Sequence, residues 1–419
     1  MLSWRICLCL LIVSAEAKKG FGPIDQEWAY VQVRPKAHMF WWLYQSSPDK
    51  PLVIWIQGGP GVSGTGFGNF EEIGPLDAQL RPRNHSWVKD YNVLFIDNPV
   101  GTGFSYVEDL SLLATNNRQI AKDLFTCVRS FFQTFTKFGE TPTYILAESY
   151  GGKMTVEFAN LWYRDQVKGN IKSNLKGIGL VDSLISPVDM HKSLAPYLFN
   201  FGMIDRDGYE AIDNAADRFA DAIQQAQWLN ATNISIEIEY LMQKYTYSVD
   251  RLYILKKVQP NYYPQLRSFS NLSRGLYSND LKRTMQKVQS TLGLKSVWGN
   301  QEPYVFNALY RDCRKPVVRH VEKLLNETDL KVYIFNGQLD LIINTPGTLS
   351  WIEKLDWKNS KNWLNAPRYP LVIDNVIEGY SKAYGNLKFF WVVRSGHMIP
   401  ADNPVAMNKI LRDLIHDES

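Results

Sequence analysis

The segment Thr143-Tyr144-Ile145-Leu146-Ala147-Glu148-Ser149-Tyr150-Gly151-Gly152 joins an apolar run of strand character to the helical period of Met154 to Trp162. A serine lies at the junction, with Ala147 two positions before it and Gly151 two after. That is the G-x-S-x-G turn with alanine in place of its first glycine. Small residues are needed at both sites because the sharp turn brings their backbones against neighbouring elements. The turn predicts a serine nucleophile raised at the carboxyl end of a buried strand.

Working outward, short apolar runs recur at Pro51 to Gln57, Asn92 to Ile96, Lys176 to Val181, Lys331 to Phe335 and Lys388 to Val393. Each reads as a strand buried on both faces. Helix-period stretches lie between several of them; in Gln119 to Phe135, residues Ile120, Leu124, Val128, Phe131 and Phe135 fall on one face. Alternation of this kind predicts an α/β fold with a mostly parallel sheet covered by helices. Trp28 to Val33 and Met39 to Tyr44 predict an antiparallel hairpin ahead of it. Residues 187–309 are helical, polar and loop-rich, and read as a lid inserted into one core, whose two parts are 18–186 and 310–419.

The chain has 419 residues, 45% of them hydrophobic and 13% aromatic, enough to bury a substantial core. Its net charge of +4 comes without a block of Lys or Arg, which argues against a nucleic-acid or polybasic membrane partner. The start of the chain, with apolar Ile6 to Val13 followed by Ala15-Glu16-Ala17, reads as a signal peptide over 1–17. No later run reaches about 18 apolar residues, so the expectation is a soluble chain in the secretory pathway, secreted or lysosomal. Sequons at Asn84, Asn230, Asn233, Asn271 and Asn326 agree with that route. Outside the signal peptide the cysteines are Cys127 and Cys313, either one disulfide or two buried thiols. Neither a metal nor a cofactor is expected, since no His cluster accompanies them.

Gly59-Pro60-Gly61-Val62-Ser63-Gly64 satisfies G-x-G-x-x-G, but a dinucleotide site needs its glycines to open a helix and an acid roughly 20 positions on. Thr65-Gly66-Phe67-Gly68 is too glycine-rich for a first helical turn, Gly74-Pro75 follows, and Asp97 lies too far on. A glycine turn after a buried strand can instead supply a backbone N–H to an oxyanion hole. Serine also needs a histidine to take its proton and a carboxylate to orient that histidine. Asp340 follows the strand Lys331 to Phe335, and His397 follows Lys388 to Val393, in the order Ser, acid, His expected of an α/β-hydrolase fold. Asp312 and Asp402 are rival acids without that strand-end position. His38, His85, His191, His320 and His416 lack the setting of His397 and read as solvated or core residues.

Taken together, Trp55-Ile56-Gln57-Gly58-Gly59-Pro60-Gly61, Glu72-Ile73-Gly74-Pro75-Leu76, Asp97 to Ser105, Glu148 to Gly152, Asn336 to Ile342 and Gly396 to Pro400 resemble the serine carboxypeptidase family, in its order and across almost the whole chain. The resemblance implies an α/β-hydrolase fold and release of C-terminal residues from peptides through an acyl-enzyme. It implies Ser149 as nucleophile, His397 as base and acid, Asp340 as orienting carboxylate, and the amides of Gly59 and Tyr150 as oxyanion hole. Gln57, Glu72 and Glu148 would hold the substrate's terminal carboxylate, and two glutamates can do so only while protonated, which favours acidic pH. Departures are Gln57 for the family's Asn, Val62-Ser63-Gly64 for Cys-Ser-Ser, absent disulfides, and Ala147 for Gly. An acyltransferase or esterase on the same triad, or a binding protein that kept the fold, are the rival readings.

Overall fold

In the computed structural model, which describes residues 20–22, 24–261 and 276–416, the strands β1 (Asp25–Arg34), β2 (Ala37–Gln45), β3 (Leu52–Ile56), β4 (Asn92–Ile96), β5 (Tyr106–Val107), β6 (Pro142–Glu148), β7 (Asn174–Val181), β8 (Lys331–Gly337), β9 (Arg368–Ile373), β10 (Val376–Tyr384) and β11 (Leu387–Val392) form one sheet. Its order is β1-β2-β4-β3-β6-β7-β8-β11-β10-β9, with β5 on β2. From β4 to β11 every neighbouring pair is parallel. The flanking pairs β1–β2, β2–β4, β11–β10 and β10–β9 are antiparallel. The signal-peptide reading and the sequon at Asn271 lie outside the described residues.

Apolar residues in nearly every position suit strands covered on both sides. Met39, Trp41 and Leu43 of β2, Ile54 and Ile56 of β3, and Ile145 and Ala147 of β6 enter one core. The alternate residues Phe40, Trp42, Tyr44, Val53, Trp55, Tyr144 and Leu146 enter the other. On the first face α1 (Asn117–Thr134) brings Ile120, Leu124, Val128 and Phe131, and α2 (Tyr150–Val167) brings Met154, Phe158 and Trp162. Asn116 caps α1, accepting from the Gln119 N–H at 3.0 Å. On the second face the helix Pro404–His416 contributes Met407, Ile410, Leu411 and Leu414. Each such side chain stabilises the fold by about 1.5–3 kcal/mol on burial.

Between β7 and β8 the chain runs through α3 (Pro187–Lys192), α4 (Leu194–Asn200), α5 (Arg206–Gln224) and α6 (Trp228–Thr246), then Asn279–Thr291, Glu302–Leu309 and Val318–Glu327. Helices α4 to α6 pack around Leu198, Ile212, Phe219, Ala231 and Ile238, joined by Leu339 and Leu341 from the loop after β8. No helix among the described residues is long and apolar enough to cross a membrane.

One local expectation is corrected, and one element was not foreseen. The glycine-rich stretch read as non-helical forms a π-helix, Gly64–Ile73, capped by the Ser63 hydroxyl. Its glycines serve close approach: a Cβ on Gly64 would lie 2.7 Å from Ile96 O, and one on Gly68 would lie 2.4 Å from Trp55 Nε1. The helix start holds no room for a phosphate in that role, because Asp97 already accepts from Ser63 Oγ, Thr65 N, Thr65 Oγ1 and Phe104 N. The edge hairpin β9–β10 has no counterpart in the sequence reading, since it is largely exposed, with one buried position in each strand. Cys127 and Cys313 are buried free thiols.

Candidate active site

The six parallel strands end along one edge of the sheet, and the loops leaving β3, β6, β7, β8 and β11 carry Gln57, Ser149, Asp182, Asp340 and His397. Ser149 is the single residue between β6 and α2, at φ 60° and ψ −125°. This left-handed backbone is strained for a residue with a Cβ, and its bonds hold it there: Ser149 N–H donates to Val181 O at 3.0 Å, and Ser149 O accepts from Gly152 N and Leu184 N.

Glycines let the neighbouring chain reach this turn. A Cβ on Gly58 would lie 2.6 Å from Ser149 Cβ, and one on Gly151 would lie 2.4 Å from Ile56 O. Ala147 takes the remaining close position and is fully buried, so a methyl is accommodated where the family pattern has glycine. Gly151 has no such room. Gly151→Ala is expected to destabilise the fold by about 1–3 kcal/mol and to move the Ser149 hydroxyl, read as a lower thermal midpoint together with lost turnover. An unchanged midpoint would show that the β3 loop yields instead.

His397 and Asp340 are both buried and meet directly, Nδ1 to Oδ2 at 2.6 Å. Asp340 Oδ1 accepts from Ile343 N at 3.1 Å, which fixes the carboxylate plane. His397 N–H donates to Leu252 O at 2.7 Å, so the segment after α6 also grips the histidine loop. With Nδ1 engaged, Nε2 is the ring nitrogen left to act, and His397 lines the same cavity as Ser149, Gly59 and Tyr150. Among the described residues the Ser149 hydroxyl and Nε2 make no hydrogen bond; such contacts close up when a substrate is bound.

The rival acids are placed elsewhere. Asp312 pairs with Lys315 at 3.0 Å and accepts from Asn117 N. Asp402 accepts from Gly396 N at 2.8 Å, and burial pushes its carboxyl up to about 6. The sequence reading passed over Asp182, which directly follows β7 as Ser149 follows β6. It is fully buried, its Oδ1 accepts from Asn336 Nδ2 and Gly337 N, and burial and the neighbouring Asp340 charge raise it well above the carboxylate range. Its position at a strand end was the available signal. His191, read as solvated or core, is buried and stacked on Phe219 yet borders the cavity.

Gln57 and Glu148 line the cavity with Glu72 beside them, all at most 3% exposed. Trp55 Nε1 donates to Gln57 Oε1 at 2.6 Å, which turns the Gln57 amide so that Nε2 donates to Glu148 Oε1 at 2.8 Å. Burial pushes Glu72 up to about 7. Burial, then the charge of Glu72, holds Glu148 well above its ordinary range. Two adjacent buried carboxyls share protons rather than carry two charges.

The sequence pattern of the serine carboxypeptidases matches residues 18–417. The chain belongs to the serine carboxypeptidase family. It is 38% identical to the retinoid-inducible serine carboxypeptidase of Mus musculus, over 98% of each chain, and 30% identical to the venom serine carboxypeptidase of Apis mellifera, over 89% of this chain and 80% of that one. Its fold is similar to that of Kex1(delta)p, a prohormone-processing carboxypeptidase from Saccharomyces cerevisiae, with a TM-score of 0.81 at 22% identity, covering 94% of this chain and 92% of that one. The protein is thus a serine-type carboxypeptidase with an α/β-hydrolase fold, a hydrolase whose substrates are peptides.

The surface sequons sit differently. Asn84, Asn230, Asn233 and Asn326 are exposed. Asn233 Oδ1 accepts from Tyr310 OH, and the Asn326 amide bridges Asp356 O and Lys358 N. Asn84 is the one whose amide is not engaged in a contact of this kind among the described residues.

Proposed function

We propose that this carboxypeptidase works through Ser149, His397 and Asp340, and that the observation carrying the assignment is the buried 2.6 Å contact between His397 Nδ1 and Asp340. Asp340 fixes the tautomer that leaves Nε2 basic, so Nε2 takes the Ser149 proton as Oγ attacks the scissile carbonyl. The amides of Gly59 and Tyr150 receive the oxyanion. His397 then protonates the leaving amino acid, and water attacks the acyl-enzyme by the reverse sequence. Gln57, Glu72 and Glu148 take the terminal carboxylate, confining cleavage to the last bond. The same roles would let an alcohol accept the acyl group, but a carboxylate-binding cluster beside the nucleophile favours peptide C-termini.

In this reading residues 1–17 are a removed signal peptide, the enzyme is secreted or lysosomal, and exposed Asn84, Asn230, Asn233 and Asn326 are open to glycosylation, with Asn271 a further acceptor. Residues 187–309 act as a lid over a core made of 18–186 and 310–419.

The pH dependence follows in sign from the glutamates. Below about 7 a protonated Glu72 donates to the substrate carboxylate. As pH rises through that value it ionises and repels the carboxylate, so KM is expected to climb while acidic conditions keep it low. Glu72→Gln replaces that proton-dependent donor with a permanent one and is expected to flatten that climb. C-terminal residue release from a peptide library, followed at acidic and neutral pH, measures both. A KM that is flat in the parent protein, or equally steep in the variant, would refute the protonated-carboxyl account.

A further inference from the structure

The loops after β7 and β8 bring two carboxyls together, and the proposed mechanism uses one of them. Asp182 and Asp340 are both fully buried. Asp182 is the first residue past β7, and its N–H donates to Phe335 O of β8 at 2.9 Å, which pins it beside the end of the neighbouring strand. Its Oδ1 has two donors, Asn336 Nδ2 at 2.8 Å and Gly337 N at 2.9 Å. Asn336 Nδ2 also donates to Ile343 O at 2.8 Å, and Ile343 N–H holds Asp340 Oδ1 at 3.1 Å. One amide thereby ties the Asp182 carboxyl to the turn that orients Asp340.

Asp182 Oδ2 has no such support. It is buried and accepts from no donor among the described residues. An ionised oxygen left in that state would lose its hydration with nothing in return. Within hydrogen-bond reach of the Asp182 side chain lies the Asp340 carboxyl. Two carboxyls that meet in a dry site do not both keep their charge, so one of them carries a proton. In the proposed mechanism Asp340 is the charged one, because it meets His397 Nδ1 at 2.6 Å and balances the imidazolium. The proton then belongs to Asp182, whose neutral form is favoured by burial, then by the charge of Asp340, with Asp402 adding in the same sense.

We propose that Asp182 is a neutral acid whose Oδ2–H donates to Asp340, a positioning residue that acts on the reaction through Asp340. This rests on the triad reading of the site and extends it by one residue. Asp340 then accepts from the Ile343 amide, the His397 ring and the Asp182 hydroxyl, so that its plane is fixed and its charge is satisfied without water. Hydrogen bonds to a charged acceptor are the stronger kind, and an acid kept neutral by its surroundings is a good donor.

The test separates a donor from a charge and from bulk. Asp182→Leu fills the space without a donor, and its kcat per fluorophosphonate-titrated site is expected to fall about ten- to hundredfold while KM changes less than about threefold. In Asp182→Asn the oxygen stays with Asn336 and Gly337, so the NH₂ faces Asp340 and the donor is restored; its kcat is expected to exceed that of Asp182→Leu by about tenfold or more. Equal kcat in the two variants overturns the proposal, whether both are high or both low. A second measurement does not depend on how the leucine variant folds. With ¹³C-carboxyl aspartate incorporated, the infrared spectrum of the parent protein at about pH 7.5 is expected to show a protonated carboxyl band, shifted in D₂O, that Asp182→Asn lacks. A parent spectrum without that band overturns the proposal. Either failure leaves the triad standing as long as Ser149→Ala abolishes residue release. Release that survives Ser149→Ala removes the triad and this proposal with it.

Discussion

Ser149→Ala is expected to lower kcat by about a millionfold and to leave the thermal midpoint at or above that of the parent protein. The rate loss follows from chemistry: without Oγ there is no acyl-enzyme, and what survives is turnover by bound water facing the oxyanion amides. The unchanged stability follows from how the turn is held. Its backbone bonds to Val181, Gly152 and Leu184 involve only main-chain atoms, and alanine keeps the Cβ that already sits against Gly58. The strain at φ 60° is common to both side chains. A fluorophosphonate probe is expected to label the parent protein and not the variant. Turnover within tenfold of the parent, or labelling that persists, would remove Ser149 from the mechanism.

What could be read in the sequence was what depends on local period. β3, β4, β6, β7, β8 and β11 are covered on both faces, so each shows an unbroken apolar run, and the loops at their ends could be located by counting from it. β9 and β10 lie at the sheet's edge with Tyr369, Val372, Val376 and Ile377 exposed, so no doubly buried run marks them. Their turn, Asp374-Asn375 with φ values of 48° and 62°, was the readable cue. The π-helix at Gly64–Ile73 escaped for the opposite reason: glycine's poor helix propensity counted against it, while packing against Ile96 and Trp55 demanded glycine. Arg251 and Arg314 belong to no strand end and no motif, and they reach the cavity of Ser149 through loops whose anchors, such as Lys153 to Asp312 O, span long stretches of sequence. The Trp55 contact that orients the Gln57 amide toward Glu148 joins a residue of β3 to the residue just past its end, a geometry that no local period shows.

Asp340→Asn is expected to reduce kcat by about 10⁴-fold with KM changed by only a few-fold. In the parent protein Oδ2 accepts the Nδ1–H at 2.6 Å, and Oδ1 is already committed to Ile343 N–H. The asparagine oxygen stays with Ile343, so its NH₂ must face Nδ1. Nδ1 then accepts, the ring proton moves to Nε2, and the base that should receive the Ser149 proton is blocked. The imidazolium of the transition state loses its counter-charge at the same time. In the proposed mechanism Gln57, Glu72 and Glu148 hold the substrate carboxylate, and the change does not touch them, so the loss is expected to fall on kcat. Asp182 sharpens the test. Burial, then the Asp340 charge, raises its carboxyl well above the carboxylate range, so removing that charge lets Asp182 ionise more easily. A pH profile of the variant whose residual activity rises as Asp182 gains its charge would show a second carboxylate partly standing in. Asp402→Asn is the control: Asp402 accepts from the Gly396 amide rather than from the ring, and its loss is expected to cost less than about tenfold. Equal damage from both substitutions would mean that the histidine loop as a whole, rather than one carboxylate, sets the imidazole.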